Sequence, residues 1–418
     1  MEIFALVDCN NFYASCERAF NPSLERQPII ILSNNDGCVI SRSNEAKALG
    51  VPMGAPYFQW RYFCRHKKIR VFSSNYELYG DMSQRVMAIL GAYCPEIEIY
   101  SIDEAFLALD SFKHFDLIPF AQALQLRIKK GTGIPVSIGI GPTKTLAKIA
   151  NYLAKKHSNG VYTLLDEKVR DEVLATFPVE NIWGVGKQLT KRLHRLEIYT
   201  AQQLRDADLK NFRRLFSVVV EKIIRELRGV SCLPLEDVQP KKQIMSSKSF
   251  GKTIYDQENV AEALSCYTAR ACEKLRLQKS RAGGIQIFLQ TNSFGGKARQ
   301  YGRSISLAFV SSTQDTCVIV AAAKMCLEKI FKKGYGYQKV GICLLELTPE
   351  ARQQFDLITS CLQPQREKMM GVLDSINQRW GKRALFVAAE GVKHEWRRRE
   401  EYRSPRASTR WKEMVVVK

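Results

Sequence analysis

The stretch from Glu96 to Leu109, EIEIYSIDEAFLAL, constrains this chain more than any other. Ile97 and Ile99 alternate with Glu96 and Glu98, and Phe106, Leu107 and Leu109 resume the apolar pattern beyond Asp103 and Glu104. That alternation predicts a β-hairpin with its acidic pair near the turn. Neighbouring side chains on a regular strand point to opposite faces, so the two carboxylates converge only where the backbone bends. Forced together they repel and titrate abnormally unless a divalent cation sits beside them. An acidic turn facing water satisfies the same residues, and the balance tips on a further acid. Ile3 to Val7 is a continuous apolar run ending in Asp8, the pattern of a central buried strand with a polar group at its carboxyl end.

Around these acids the chain alternates in type. NNFYASCERAF predicts a helix from Asn10 or Asn11, with Phe12 in the core and Tyr13 able to lie against whatever Asp8 binds. Pro28 to Leu32 and Cys38 to Arg42 read as short strands around a turn, and Ser43 or Asn44 caps a short helix ending at Gly50. The amino end of that helix, with Ser41, Arg42 and Lys47, suits phosphate oxygens. A helix from Ser73 or Ser74 ends before Pro95, and another runs through Phe120, Leu124 and Ile128 to Gly131. Val136, Ile138 and Ile140 alternate as a strand, Thr143 to Lys156 is a basic helix with Lys144, Lys148 and Lys155, and Val161 to Leu165 closes the unit. This order is close to a ferredoxin-like sheet with helices on one side, which puts Asp8 beside the acidic turn. Three carboxylates meeting there suit two Mg²⁺ ions roughly 4 Å apart, which activate an attacking hydroxyl and stabilise a leaving pyrophosphate.

With 418 residues the chain predicts several domains. Its 63 Lys and Arg against 42 Asp and Glu leave a net charge of +21, the balance of a protein that meets a polyanion. No apolar run approaches the roughly 18 residues of a spanning helix and no signal segment opens the chain, so a soluble cytoplasmic protein is expected. The 12 cysteines show no C-x-x-C pair and are expected reduced, most of them buried.

From Phe177 the pattern turns helical, and NIWGVG at Asn181 to Gly186 precedes the basic helix KQLTKRLHRL. A turn with Gly184 and Gly186, followed by Lys187, exposes N–H groups for a DNA phosphate, the logic of a helix-hairpin-helix. Leu233 to Gln243 reads as a linker. MSSKSFGKTI, GGIQIFLQTN and YGRSISLAFV are strand-like, and Asn259 to Leu277 and Asp315 to Ile330 are helix-like, predicting a small α+β domain. Residues 241–310 hold 12 basic and four acidic groups, and Ser, Thr and Lys along the strands, Lys248 and Lys252 among them, suit sequence-independent phosphate contact. Met369 to Arg379 is helical. Residues 393–418 hold nine basic and four acidic groups with Trp396 and Trp411 between them, which suits stacking on bases, docking on a partner, or a loosely ordered end.

DCNNFYASCE, SNNDGCVISRSNEAKALG, FSSNYELYGDMS, YSIDEAF and GIGPTKTLAKIAN together resemble the Y-family translesion DNA polymerases, and within them the UmuC type. The resemblance implies an α+β right hand: a ferredoxin-like palm (1–10 and 72–165), small fingers (11–71), a helical thumb (166–235) with its helix-hairpin-helix near 181–196, a linker (236–243), a little finger (244–348) and a clamp-binding segment with a UmuC-type tail (349–418). It implies that Asp8, Asp103, Glu104 and the Cys9 carbonyl hold two Mg²⁺ ions and that Tyr13 is the steric gate against a ribose 2′-hydroxyl. Ser41, Asn44, Lys47 and Lys155 fall at the triphosphate-contacting positions; other branches carry Tyr and Arg where Asn44 and Lys47 stand. Gln354, Phe355, Leu357 and Ile358 resemble the bacterial sliding-clamp motif, with Ile358 in place of the usual aromatic. The implied partners are primer–template DNA, deoxynucleoside triphosphates, a processed UmuD-like dimer, a RecA filament and the sliding clamp, with no membrane. The implied activity is low-fidelity translesion synthesis in the SOS response and DNA repair. Two rivals are a cyclase on the same palm topology, which has no use for the basic regions downstream, and a DNA-binding regulatory protein that has lost catalysis.

Overall fold

The computed structural model describes residues 2–112, 114–236, 239–292, 299–351, 363–392, 394 and 396–414. The chain divides into two compact units: Met1–Asp237 with Glu401–Lys418, and Val238–Glu400. The strands of the first unit are β1 (Phe4–Cys9), β2 (Ile29–Leu32), β3 (Val39–Arg42), β4 (Arg70–Ser73), β5 (Ile97–Ile99), β6 (Glu104–Ala108), β7 (Val136–Gly141) and β8 (Val161–Thr163). A five-stranded sheet runs in the order β5-β6-β1-β7-β8, with β1 antiparallel to both neighbours and β7 parallel to β8. Every residue of β1 is buried, as a central strand without a solvated face requires.

Six helices follow in chain order around the strands: α1 (Phe12–Phe20), α2 (Asn44–Ala48), α3 (Tyr57–His66), α4 (Tyr76–Tyr93), α5 (Leu117–Thr132) and α6 (Lys144–Ala154). Strand parity sorts the sheet's faces. Ala5, Val7 and Cys9 pack with Met82, Val86 and Leu90 of α4 and Leu124 and Ile128 of α5. Phe4 and Leu6 face the other way and cluster with Phe106 and Ala147 of α6. The expectation of helices on one side therefore fails for α6, which lies on the opposite face. Gly139 permits it: a Cβ there would fall 2.0 Å from the Asn151 backbone nitrogen, so only glycine lets helix and strand approach so closely.

Other differences are local. Asn75, not Ser73 or Ser74, caps α4, its Oδ1 accepting from the Leu78 N–H at 3.4 Å. α5 continues past Gly131 and stops at Gly133, whose φ of 74° is the left-handed turn glycine tolerates. Neither α3 nor β4 was anticipated, because α3 buries only Tyr57 and Cys64 and carries little apolar period. A three-stranded sheet, β3-β2-β4, pairs β2 antiparallel to β3 and parallel to β4. The rest of the unit to residue 227 is helical, with α7 (Glu167–Thr176), α8 (Lys187–His194), α9 (Ala201–Asp206), α10 (Leu209–Leu215) and α11 (Val218–Leu227) sharing a core with Leu146 and Ile149 of α6.

The second unit holds β9 (Ile244–Ile254), β10 (Ser280–Thr291), β11 (Gly302–Thr313), β12 (Tyr337–Pro349), α12 (Gln257–Leu277), α13 (Thr316–Ile330) and α14 (Gln363–Trp380). Its antiparallel sheet runs β11-β10-β12-β9. Ile285, Ile287, Leu289, Val340, Ile342 and Leu344 form the core with the helices. Ser247, Gln286, Ser304, Ser306 and Lys339 occupy the alternate rows.

Two outcomes for the C-terminal region belong here. Trp396 is buried, edge-on to Tyr267 with ring centroids 5.5 Å apart, and its carbonyl accepts from the Gly251 N–H on β9. It is therefore a packing residue, whereas Trp411 is almost fully exposed. The sliding-clamp resemblance at Gln354, Phe355, Leu357 and Ile358 lies outside the described residues. Every described cysteine is free, and no helix among the described residues is long and apolar enough to cross a membrane.

Candidate active site

Antiparallel register sets Asp8 directly opposite Glu104, both pointing to the face that α6 covers. Asp103 lies one residue before β6, where the chain leaves the ladder: the Cys9 N–H donates to the Asp103 carbonyl at 2.9 Å. Ser101 sets the turn. Its hydroxyl donates to Asp103 Oδ1 at 2.6 Å and accepts from the N–H groups of Asp103 and Glu104 at 3.2 and 3.1 Å. That bend takes Asp103 out of the strict alternation of a regular strand.

α6 supplies the counter-charge. Lys155 Nζ donates to Asp8 Oδ2 at 2.6 Å and Lys148 Nζ to Glu104 Oε2 at 2.9 Å. Lys148 is itself held above the rings of Tyr100 and Trp183, at 4.4 and 5.2 Å from their centroids, and the Trp183 indole N–H donates to Tyr100 Oη at 3.2 Å. Burial pushes the Asp8 carboxyl up to about 7 against the pull of Lys155. Burial also pulls Glu104 upward, but Lys148, the contact with Asp8 and then Lys155 outweigh it and hold the carboxyl below its usual range. Lys148 was expected only as part of a basic helix. Its spacing of four from Lys144 and seven from Lys155 puts all three on one face, which is the signal that points it at the acids.

A cavity of about 420 Å³ opens beside these carboxylates, lined by Asp8, Cys9, Asp103, Tyr13, Ser41, Asn44, Lys47 and Lys155, together with Asn11 and Arg42. Asp8 and Asp103 share its wall with Arg42, Lys47 and Lys155, and Lys155 is paired with Asp8. Asn11, at a left-handed φ of 48°, joins the elements: its amide donates to Asn44 Oδ1 at 3.0 Å and accepts from Lys47 Nζ at 2.5 Å. Burial, then Arg42 and Lys155, depress the Lys47 ammonium. Arg42 donates through one amino group to the Val51 carbonyl, and among the described residues its buried Nε has no partner. Crowded cations with a spare donor fit an oligoanion such as a triphosphate. The Tyr13 ring stacks on Tyr79 with centroids 4.4 Å apart and planes 16° apart.

Among the described residues no three His, Cys, Asp or Glu side chains are gathered so as to hold a metal ion. Two lysine ammoniums take that place on Asp8 and Glu104. The carboxylates of Asp8, Asp103 and Glu104 nonetheless offer only oxygen, and burial already raises the Asp8 carboxyl. Both features fit a hard divalent cation.

Other site expectations lie apart from this pocket. Gly184 takes a φ of 90° and Gly186 caps α8, which opens on Lys187. Lys248 and Lys252 are exposed on β9, but by parity they belong with Ile244 and Phe250 of the helix-covered face, at the sheet's edge strand. The opposite rows mix polar residues, Ser247, Gln286, Ser304 and Ser306, with the apolar Met245, Phe288 and Val310.

The fold is that of the Y-family DNA polymerases. A chimera of the Y-family polymerases Dbh and Dpo4 superposes with a TM-score of 0.67 at 19% identity, covering 83% of this chain and 99% of that one. An insertion ternary complex of Dbh DNA polymerase gives 0.57 at 20% identity, with 83% and 99% covered. Residues 7–152 match the impB/mucB/samB family, residues 241–357 its C-terminal domain, and residues 367–417 a domain of unknown function, DUF4113. Protein UmuC of Salmonella typhimurium (strain LT2) is 42% identical over the full length of both chains. Protein MucB of Escherichia coli is 36% identical over 99% of both, and DNA polymerase IV 1 of Bacillus subtilis (strain 168) 26% identical over 93% of both. The chain therefore belongs to the impB/mucB/samB family, the UmuC-type branch of the Y-family polymerases.

Proposed function

We propose that this chain adds deoxynucleotides to a primer 3′-hydroxyl under template direction, with Asp8, Asp103, Glu104 and the Cys9 carbonyl holding two Mg²⁺ ions. The reaction class follows from kinship: these are DNA-directed DNA polymerases of translesion synthesis, acting on primer–template DNA and deoxynucleoside triphosphates, and they depend on divalent metal. One observation supports the assignment of residues above the rest. A single cavity is lined by Asp8 and Asp103 together with Arg42, Lys47 and Lys155.

The metal, when bound, lowers the pKa of the attacking hydroxyl and screens the phosphate charge. The chain's own groups do the remainder. Arg42, Lys47 and Lys155 take the triphosphate oxygens, Lys155 exchanging its partner Asp8 for phosphate. Lys148 and Ser101 orient Glu104 and Asp103 from outside the pocket. Tyr13 offers a flat ring beneath the incoming sugar, where a 2′-hydroxyl finds no space. Primer extension with Mg²⁺ tests this: retention of normal incorporation by Asp103→Ala or Glu104→Ala refutes the roles assigned.

Kinship also supports the finer partnerships: a processed UmuD-like dimer, a RecA filament and, through Gln354, Phe355, Leu357 and Ile358, a sliding clamp. Such partners suit a cytoplasmic protein. Phe355→Ala with Leu357→Ala is expected to abolish co-purification with the clamp, and persistent binding relocates the contact. The thumb turn at Gly184, Gly186 and Lys187 and the lysines of β9 are proposed DNA contacts. A regulatory protein without catalysis has no use for so charged a nucleotide-sized cavity.

A further inference from the structure

Residues 401–414 belong to the first unit and dock on its edge. Tyr402 trades hydrogen bonds with Ser73 at the end of edge strand β4: the Ser73 N–H donates to the Tyr402 carbonyl and the Tyr402 N–H to Ser73 Oγ, both at 3.0 Å. Its ring meets Tyr57 edge-on, with centroids 5.6 Å apart. The Asn75 amide donates to Ser404 Oγ at 2.9 Å and to the Ser404 and Pro405 carbonyls at 3.3 and 3.2 Å, while Arg403 pairs with Glu77 at 2.8 Å. Asn75 is completely buried, so this attachment is part of the core and not a surface contact.

The same segment reaches the pocket's aromatic floor. Ser404 Oγ donates to Glu17 Oε1 at 2.9 Å, and Tyr79 Oη donates to that oxygen at 2.7 Å. Glu17 lies four residues after Tyr13, on the same side of α1, and Tyr79 is the ring on which Tyr13 stacks. Glu17 is only 4% exposed, and burial pushes its carboxyl up to about 7 even with both hydroxyls donating to it. Without Ser404 the carboxyl keeps one donor, and Tyr79 shares it with no second anchor.

We propose that Ser404 is a positioning residue for sugar selection: the C-terminal segment Tyr402–Pro405 clasps Glu17, which with Tyr79 fixes the plane of the Tyr13 ring. The inference rests on Tyr13 being the gate and adds a distant part of the chain that sets its stiffness. A ring free to tilt admits a 2′-hydroxyl more readily and accepts a deoxyribose as before, so the clasp moves selectivity and not turnover.

The test is single-nucleotide insertion by the full-length protein, comparing kcat/KM for a deoxynucleotide and its ribonucleotide. Ser404→Ala should lower the preference for the deoxynucleotide about threefold to tenfold, the reach of one hydrogen bond to a carboxyl. Ser404→Thr, which keeps the hydroxyl, should restore it, and in a Tyr13→Ala background Ser404→Ala should change nothing. An unaltered preference in Ser404→Ala, an equal loss for both sugars, or an effect that persists without the Tyr13 ring overturns the clasp. Unchanged sugar selection in Tyr13→Ala alone removes the gate first and the clasp with it. The single variants therefore tell the two failures apart.

Discussion

The two main sheets handle charge in opposite ways. In the five-stranded sheet Asp8 is buried at a strand end and Glu104 opposite it is largely shielded, each neutralised by a lysine from a helix laid across the same face. In the four-stranded sheet the rows turned away from the helices carry Ser247, Gln286, Ser304, Ser306 and Lys339 beside Phe288, while Lys248 and Lys252 stand exposed on the other face of edge strand β9. A buried anion is costly unless paired, so its position is held tightly, as bond-forming chemistry requires. An open row of hydroxyls and exposed ammoniums is cheap and adaptable, which suits a surface that meets any phosphate backbone. The proposed chemistry and the proposed phosphate contact thus fall on separate sheets.

The sharpest way to break that contrast is at the acids. Asp103→Ala or Glu104→Ala is expected to cut incorporation roughly a thousandfold or more while leaving DNA binding by gel shift unchanged. A parallel loss of both merges what the contrast separates.

Next comes Glu17, buried near the pocket but outside the acid cluster. Its carboxyl stays protonated up to about pH 7 in the native chain, whereas an unfolded glutamate ionises near its ordinary value of 4.5. The native state therefore holds the extra proton between those values. The stability this contributes is complete below about pH 4.5 and is lost as pH rises towards 7, by up to about 3 kcal/mol. Glu17→Gln should remove that slope from denaturant midpoints measured between pH 5 and 8. A slope unchanged by the substitution assigns the titration to another group.

A smaller effect is expected at the gate, where Tyr13→Ala should ease ribonucleotide insertion about tenfold or more, read as a ratio of kcat/KM values. Smallest are the lysines of the second unit. Lys248→Ala and Lys252→Ala should each flatten the log–log salt dependence of DNA affinity by about one unit, with little change in turnover at saturating DNA. If either instead abolishes turnover, the four-stranded sheet has a catalytic part that its exposed charge does not suggest.

Much of the centre was legible in residue order because its signals are local. Alternation around Asp103 and Glu104 and the apolar run into Asp8 specify strands whose ends carry acids, and Thr143 announces the start of α6. The face on which α6 lies was not legible, since it depends on Gly139 meeting Asn151 across the sheet. The Lys148 contact with Glu104 is half hidden: helical spacing points at a face, but only packing says what that face meets.

By itself the sequence determined the strands that end in Asp8 and flank Asp103 and Glu104, the basic helix after them and the charge balance, because each is carried by neighbouring residues through backbone period and side-chain type. Tertiary structure alone decided that Asp8 pairs with Lys155 and Glu104 with Lys148. It alone brought Ser404 to Glu17, a hydrogen bond spanning 387 positions. No periodicity marks such a contact, since it exists only once the intervening chain has folded and excluded water from Glu17.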